Sequence, residues 1–219
     1  MPSIQISEKL ISFVTFLPIF FISLSVHEFA HAYAASKLGD NTAKILGRLT
    51  LNPFKHADLI GTYLMPLASL TSGFALIGWA KPVPINRANF KNDLKDDAIV
   101  SFAGPFSNLI LSVLFFILFV ISARVIPGDK HYILNFCWYG VFLNIFLSFF
   151  NLLPIPPLDG SHILYDLFPG KLTAKLLRMG IFGSILLMFF IYSPLWSFFM
   201  NFINLVLSLF VKTANFFNV

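Results

Sequence analysis

Hydrophobic residues in this chain come in long blocks, and polar residues are confined to short segments between them. Four blocks are long enough to cross roughly 30 Å of hydrocarbon, which takes about 20 helical residues. They run about 10–36, polar in its last third, 98–123, 132–153, and a long C-terminal tract from about 174 to 211. Pro194 interrupts that tract, and a single helix of its length would extend about 50 Å. The pattern therefore predicts a tight helical hairpin, about 174–192 and 195–211. A fifth block, 59–80, is long enough to cross but contains Gly61, Pro66, Ser72, Gly73 and Gly78, which favour a broken path. The Lys81-Pro82-Val83-Pro84 stretch after it predicts extended backbone, because each proline pushes its predecessor out of the α region.

The predicted fold class is an all-α polytopic membrane protein: a three-helix core plus a C-terminal helical hairpin, with a re-entrant, β-hairpin-like segment at about 59–90 between core helices one and two. Residues 1–165 form the membrane-embedded core and 166–219 an amphipathic segment followed by the transmembrane hairpin.

Composition agrees with burial in lipid. Of 219 residues 57% are apolar and only 11% are charged, against roughly 25% charged in an ordinary soluble domain. The net charge of +5 does not imply nucleic acid, since the basic residues sit in short segments without an interleaved aromatic platform. They read as juxtamembrane charges, with the lipid bilayer as their partner. A single cysteine, Cys137, rules out an intrachain disulfide and a Cys-rich metal site. Ala32-Tyr33-Ala34 imitates a signal-peptide cleavage site, but Glu8 and Lys9 make a weak n-region, so the first helix reads as retained.

Charge also orients the chain. If the first helix runs outside to inside and 59–80 re-enters, then Lys37, Lys44, Arg48, Lys55, Lys81, Arg87, Lys91, Lys95, Lys171, Lys175, Arg178 and Lys212 are cytoplasmic. Only Lys9, Arg124 and Lys130 remain outside, which satisfies the positive-inside rule.

Against this background His27, Glu28 and His31 stand out, three ionisable groups on one turn of an apolar helix. Such groups are expensive in a membrane and suggest function. His27 and His31 are four residues apart, so on a helix both imidazoles face one way with Glu28 beside them, the H-E-x-x-H pattern. Two neutral imidazoles and one further ligand hold Zn²⁺ and leave a fourth position for water, whose proton the glutamate takes. His27 lies ten positions before Lys37, about 15 Å along a helix axis. The third ligand should be another anionic or imidazole group entering an apolar neighbourhood. Asp159, after Pro154, Pro156 and Pro157, suits that role, and His162 and Asp166 compete for it.

With His27-Glu28-Phe29-Ala30-His31 in the first core helix, Ser101-Phe102-Ala103-Gly104-Pro105-Phe106-Ser107-Asn108 opening the second and Asn151 to Gly160 closing the third, the chain resembles the site-2 protease family of intramembrane zinc metalloproteases. The similarity extends over roughly residues 20–165 and is greatest to the compact bacterial branch. It implies that His27, His31 and Asp159 bind one zinc per chain and that Glu28 is the catalytic base. It further implies that Asn151, with Asn108 more distantly, meets the substrate backbone or a developing oxyanion. The implied activity is hydrolysis of peptide bonds within or near transmembrane segments of membrane-protein substrates, at the cytoplasmic side of a bacterial inner membrane. The competing functions are a metal-dependent transporter and a catalytically silent binding relative. A transporter predicts repeated halves, which the sequence lacks, and a silent relative predicts a lost site residue. Nothing in the sequence specifies an oligomeric state.

Overall fold

A computed structural model describes residues 2–65 and 80–217, and among them the chain is helical with no strand. In chain order the helices are α1 (Pro2–Lys37), α2 (Thr42–Ile45), α3 (Pro53–His56), a π-helical turn (Leu59–Leu64), a 3-10 turn (Arg87–Asn89), α4 (Asp93–Val125), α5 (His131–Asn151), α6 (Asp159–Leu167), α7 (Lys171–Leu177), α8 (Ile181–Tyr192) and α9 (Pro194–Phe216). Four of them, α1 over Phe13–Lys37, α4, α5 and α9, are long and apolar enough to cross a membrane. Residues 66–79, and with them the re-entrant, β-hairpin-like reading of 59–80, lie outside the described residues.

Local signals set the helix starts. Asn92 caps α4 by accepting the Lys95 N–H at 3.2 Å, and its own N–H donates to Asp96 Oδ2 at 2.9 Å. Asp93 and Asp96 place negative charge in the first turn, where the helix dipole favours it. Ser193 caps α9 through the Leu195 N–H, with Pro194 at the first helical position, where its missing N–H costs nothing.

α1, α4 and α5 pack together, with α4 in contact with both of the others, and α9 lies against α5 and α8. The core between them holds Ile19 and Phe20 of α1, Phe115 and Phe116 of α4, Val141 and Ile145 of α5, and Phe199 and Ile203 of α9. Their outer faces leave large apolar side chains such as Ile110, Val113, Ile117 and Leu205 exposed, as lipid contact requires. Because lipid tails are as apolar as leucine, burial of apolar surface does not drive helices together here; close packing and polar contacts must. Gly140 supplies the first: a Cβ there would lie 2.4 Å from the Phe115 ring. Asn108 supplies the second, joining three helices by donating to Asn144 Oδ1 of α5 at 2.8 Å and to the Ser23 carbonyl of α1 at 3.3 Å.

The C-terminal part departs from the predicted hairpin. What the apolar pattern suggested was one helix over 174–192 is broken at Gly180, whose φ of 55° suits glycine. α7 and α8 meet at 89°. α8 has 12 residues, about 18 Å at 1.5 Å per residue, so it is too short to cross alone. Trp196, an amphipathic ring of the kind that favours a membrane interface, packs instead among aromatic neighbours, 6.1 Å from Phe146 and from Phe190. α6 continues past residue 165 to Leu167, and α7 begins at Lys171.

The polar segments around residues 38–58 and 80–92 form a cap beside the end of α1. Asp40 is buried and accepts from the Thr42 N–H at 3.0 Å, the Asn86 N–H at 2.7 Å and Asn89 Nδ2 at 2.8 Å. Burial pushes its carboxyl up, but these donors, with the Thr42 hydroxyl, outweigh that and hold it below the usual carboxylate range. Arg48 donates to the Lys81 carbonyl at 2.6 Å, and the Lys81 N–H donates to the His56 carbonyl at 2.8 Å. Asp40→Ala should therefore destabilise the protein by about 2–4 kcal/mol, seen as a lower thermal midpoint in detergent. An unchanged midpoint would show that the cap does not depend on this carboxylate.

Candidate metal centre

His27 and His31 lie on the same face of α1, as their spacing requires, and the first turn of α6 brings Asp159 to them. His27 Nε2 is 3.0 Å from His31 Nε2, and Asp159 Oδ2 is 3.2 Å from the first and 3.4 Å from the second. Both imidazoles are buried, and Asp159 Oδ2 is a buried oxygen with no hydrogen-bond partner.

The surroundings fix which ring nitrogens carry protons. Asn144 Nδ2 donates to the Gly140 carbonyl at 2.9 Å, which turns Asn144 Oδ1 toward Asn108. Asn108 Nδ2 donates to that oxygen at 2.8 Å and to the Ser23 carbonyl at 3.3 Å, so Asn108 Oδ1 faces His27 Nδ1 at 2.7 Å. An oxygen there demands a proton on Nδ1 and leaves Nε2 of neutral His27 with a bare lone pair. His31 repeats the logic, its Nδ1 lying 2.7 Å from the Val100 carbonyl, which can only accept. Two imidazole lone pairs and a carboxylate oxygen thus converge on one point. A proton can satisfy one pair of these atoms at a time; a metal cation satisfies all three.

The three separations suit such an ion. Metal–nitrogen distances of about 2.0–2.1 Å set tetrahedral edges of about 3.3 Å. Backing of each imidazole by a carbonyl oxygen is the usual support for a metal-bound histidine. Among the described residues these three form the one cluster of histidine and carboxylate groups with this geometry.

Glycines make the convergence possible. A Cβ on Gly104 of α4 would lie 2.3 Å from His31 Nε2 and 2.7 Å from His27 Cε1. On Gly160 it would lie 2.3 Å from the Leu152 carbonyl oxygen. That contact lets the compact turn 152–158, closed by the bond from the Leu158 N–H to the Ile155 carbonyl at 3.0 Å, fold onto the start of α6 and aim Asp159 at α1. At the first turn of that helix its charge also meets the favourable end of the dipole.

Glu28 is buried beside the cluster, and its Oε2 accepts the Val83 N–H at 2.8 Å. It shares with His31, Pro82, Val83, Pro157 and Asp159 the wall of a cavity of about 290 Å³. The two asparagines lie elsewhere. Asn108 is fully buried behind His27 with both amide hydrogens committed, so it has no donor for a substrate or oxyanion and its place is that of an orienting group. Asn151 donates back to the Leu147 carbonyl of its own helix at 2.9 Å, and no contact joins it to the cluster. His162 and Asp166, competing ligands by sequence, face a different partner. Arg87 bridges Asp97 at 2.8 Å, Asp166 and, at 3.4 Å, Asp93, while His162 Nδ1 lies 3.4 Å from Asp97. This knot ties the 80–92 segment to α4 and α6 beside the cavity. Burial pushes Asp166 up to about 7, with the Asp97 carboxylate acting in the same sense and Arg87 against it.

Several of these groups escape sequence reasoning. Gly104 and Asn144 have a signal, a helical glycine next to a proline and an amide in an apolar run. The Val100 carbonyl and the Val83 N–H are backbone and have none.

The family model described as Peptidase family M50 matches residues 15–130 and 129–192. The chain is 42% identical over 181 residues to a Bacillus subtilis (strain 168) protein named "Putative zinc metalloprotease YwhC", covering 81% of this chain and 80% of that protein. It is 34% identical over 143 residues to "Putative zinc metalloprotease Rip2" of Mycolicibacterium smegmatis, covering 64% of this chain and 51% of that protein. A Mycobacterium tuberculosis (strain Erdman) protein of the same name is 31% identical over 184 residues, covering 78% of this chain and 67% of that protein. No solved structure matches the chain.

Two predictions follow from the site. Gly104→Ala should lower the metal content of the purified protein at least about tenfold with helicity unchanged; full metal content would show that the histidines tolerate a different seat. Asp166, raised to about 7, keeps a proton in the fold that the unfolded chain has released above about pH 4. Stability therefore falls as pH rises from about 4 to 7 and levels off beyond. Thermal midpoints measured across that range should decline less in Asp166→Asn, and an equally steep decline would exclude this proton as its source.

Proposed function

The chain belongs to peptidase family M50, the site-2 protease family, and from that premise we propose that it is an intramembrane zinc endopeptidase. It cleaves peptide bonds within or near transmembrane segments of membrane-protein substrates. The observation that carries the reading is the convergence of two bare imidazole nitrogens and an orphaned carboxylate oxygen next to Glu28, inside an integral membrane protein.

In this reading His27, His31 and Asp159 hold one zinc ion. When bound, the ion supplies Lewis acidity, which brings the deprotonation of water near pH 7. Glu28 is the base. The Val83 N–H engages its Oε2 and keeps the carboxylate turned into the cavity, where it takes a proton from water and delivers it to the leaving nitrogen. Asn108 and the Val100 carbonyl keep the imidazoles in the tautomer that presents a lone pair. Pro82, Val83, Ile85 and Pro157 give the cavity apolar walls that limit the water around a scissile bond. An extended substrate backbone suits this narrow space better than a helix, whose peptide groups are shielded by their own hydrogen bonds.

Residues 1–165 then make up the protease core and 166–219 its C-terminal helices. The active site faces the cytoplasmic side of a bacterial inner membrane, the side the basic residues favour. Two bonds join the segments that flank 66–79. The Lys81 N–H meets the His56 carbonyl, and the Asn86 N–H meets Asp40, so both flanks of that segment share one cap.

The test pairs metal analysis with cleavage of a single-pass membrane substrate. Glu28→Gln should retain zinc and lose about 10²–10⁴-fold in cleavage rate. Undiminished cleavage would remove the mechanism, and loss of zinc would place Glu28 among the ligands instead.

A further inference from the structure

Residues 167–219 contain Lys171, Lys175, Arg178 and Lys212 and no aspartate or glutamate. Three of these cations gather at the elbow between α7 and α8. Lys171, Lys175 and Arg178 are spaced by four and three residues, hence on one face of a helix. With Ala174, Met179 and Phe182 they line a groove of about 700 Å³. No ion pair engages any of the three among the described residues, while the preceding carboxylates Asp159 and Asp166 are committed to the histidines and to Arg87.

The elbow also has the shape of a membrane entry. α8 is uncharged and apolar but for Ser184 and Tyr192, and it meets α7 at 89°, so with α8 in hydrocarbon α7 runs along the surface. Leu172, Ile181 and Phe182 are 81%, 75% and 65% exposed around the same bend. Cations above and bare apolar side chains below are the two halves of an interfacial lipid contact. A soluble anion would use only the first half.

We propose that this elbow binds the head group of an anionic phospholipid, with Lys171, Lys175 and Arg178 around the phosphate and the upper acyl chain on Met179 and Phe182. The arginine adds a planar fork suited to phosphate oxygens, and the two lysines add point charge near the surface. This site is independent of the zinc cluster and of the proteolytic reading.

The full-length protein, released from micelles containing phosphatidylglycerol or phosphatidylcholine, tests the proposal by native mass spectrometry. Wild type should retain one phosphatidylglycerol. Retention should fall about fivefold for each cation removed in Lys171→Gln, Lys175→Gln and Arg178→Gln, and Arg178→Lys should recover most of its share. A variant carrying Lys44→Gln, Lys55→Gln and Lys91→Gln loses the same charge at exposed positions elsewhere and should retain the lipid. Equal loss in that control would overturn the proposal in favour of attraction to net charge alone. Equal retention of phosphatidylcholine would overturn it too, and so would displacement of the lipid by equimolar inorganic phosphate. Thermal midpoints in phosphatidylcholine identify any variant that fails to fold, and the remaining single variants then decide the matter.

Discussion

The structure depends on three lone pairs being forced together where water is scarce. His27 Nε2, His31 Nε2 and Asp159 Oδ2 lie 3.0–3.4 Å apart. The arrangement persists because the other ends are over-determined: a run of bonds from the Gly140 carbonyl through Asn144 and Asn108 fixes His27, and the Val100 carbonyl fixes His31. In a membrane interior each of those polar groups would be costly if left unpaired, so the network cannot relax by rotating one ring. A cation bound there would offset the convergence, and the rest of the core is arranged to hold the three atoms in place.

α4 carries most of that burden. Over about two turns it presents the Val100 carbonyl to His31, a bare Gly104 to both rings and Asn108 to His27. The same helix begins in the ionic knot with Asp93 and Asp97 and ends beyond the apolar core at Val125. Its register against α1 therefore cannot shift without losing the ring contacts and the close glycine seat together. α5 contributes from behind, through Asn144, and α6 from the side, through Asp159.

The histidines and the glutamate were legible because periodicity and the cost of charge in lipid both single them out. Asp159 was legible only as a carboxylate near an apolar exit; His162 and Asp166 answer the same description, and what separates them is a three-dimensional fact, the Arg87 knot that engages the latter two. The role expected of Asn108 differs for a related reason: an amide in a membrane helix satisfies the description of an oxyanion donor and of a histidine support equally well, and only the direction of its N–H bonds decides. The C-terminal elbow was missed because apolar content reports that a segment is in lipid and says nothing of its direction, and Gly180 lay in a block that otherwise read as continuous. Trp196 shows the same limit from the other side, an amphipathic ring whose composition suits the interface but whose neighbours are Phe146, Phe150, Phe190 and Phe199.

The two ends of α6 explain how the segment over the cavity can be both fixed and yielding. Asp159 and Asp166 are seven residues apart, two turns along one face, and they are held by unlike partners, the imidazoles of α1 and the guanidinium of Arg87. Arg87 thereby anchors one end of the 80–87 segment to the helix that carries Asp159, and Arg48 anchors the other end through the Lys81 carbonyl. Val83 lies between the anchors, joined to Glu28 by a single N–H. In the proposed function a substrate backbone entering the Glu28 side of the cavity would compete for that bond, and its loss leaves the hydrogen bonds that fix both histidines intact. On the proposed function the base could be exposed without disturbing the ligands, which is the separation of roles that a hydrolytic site buried in lipid needs.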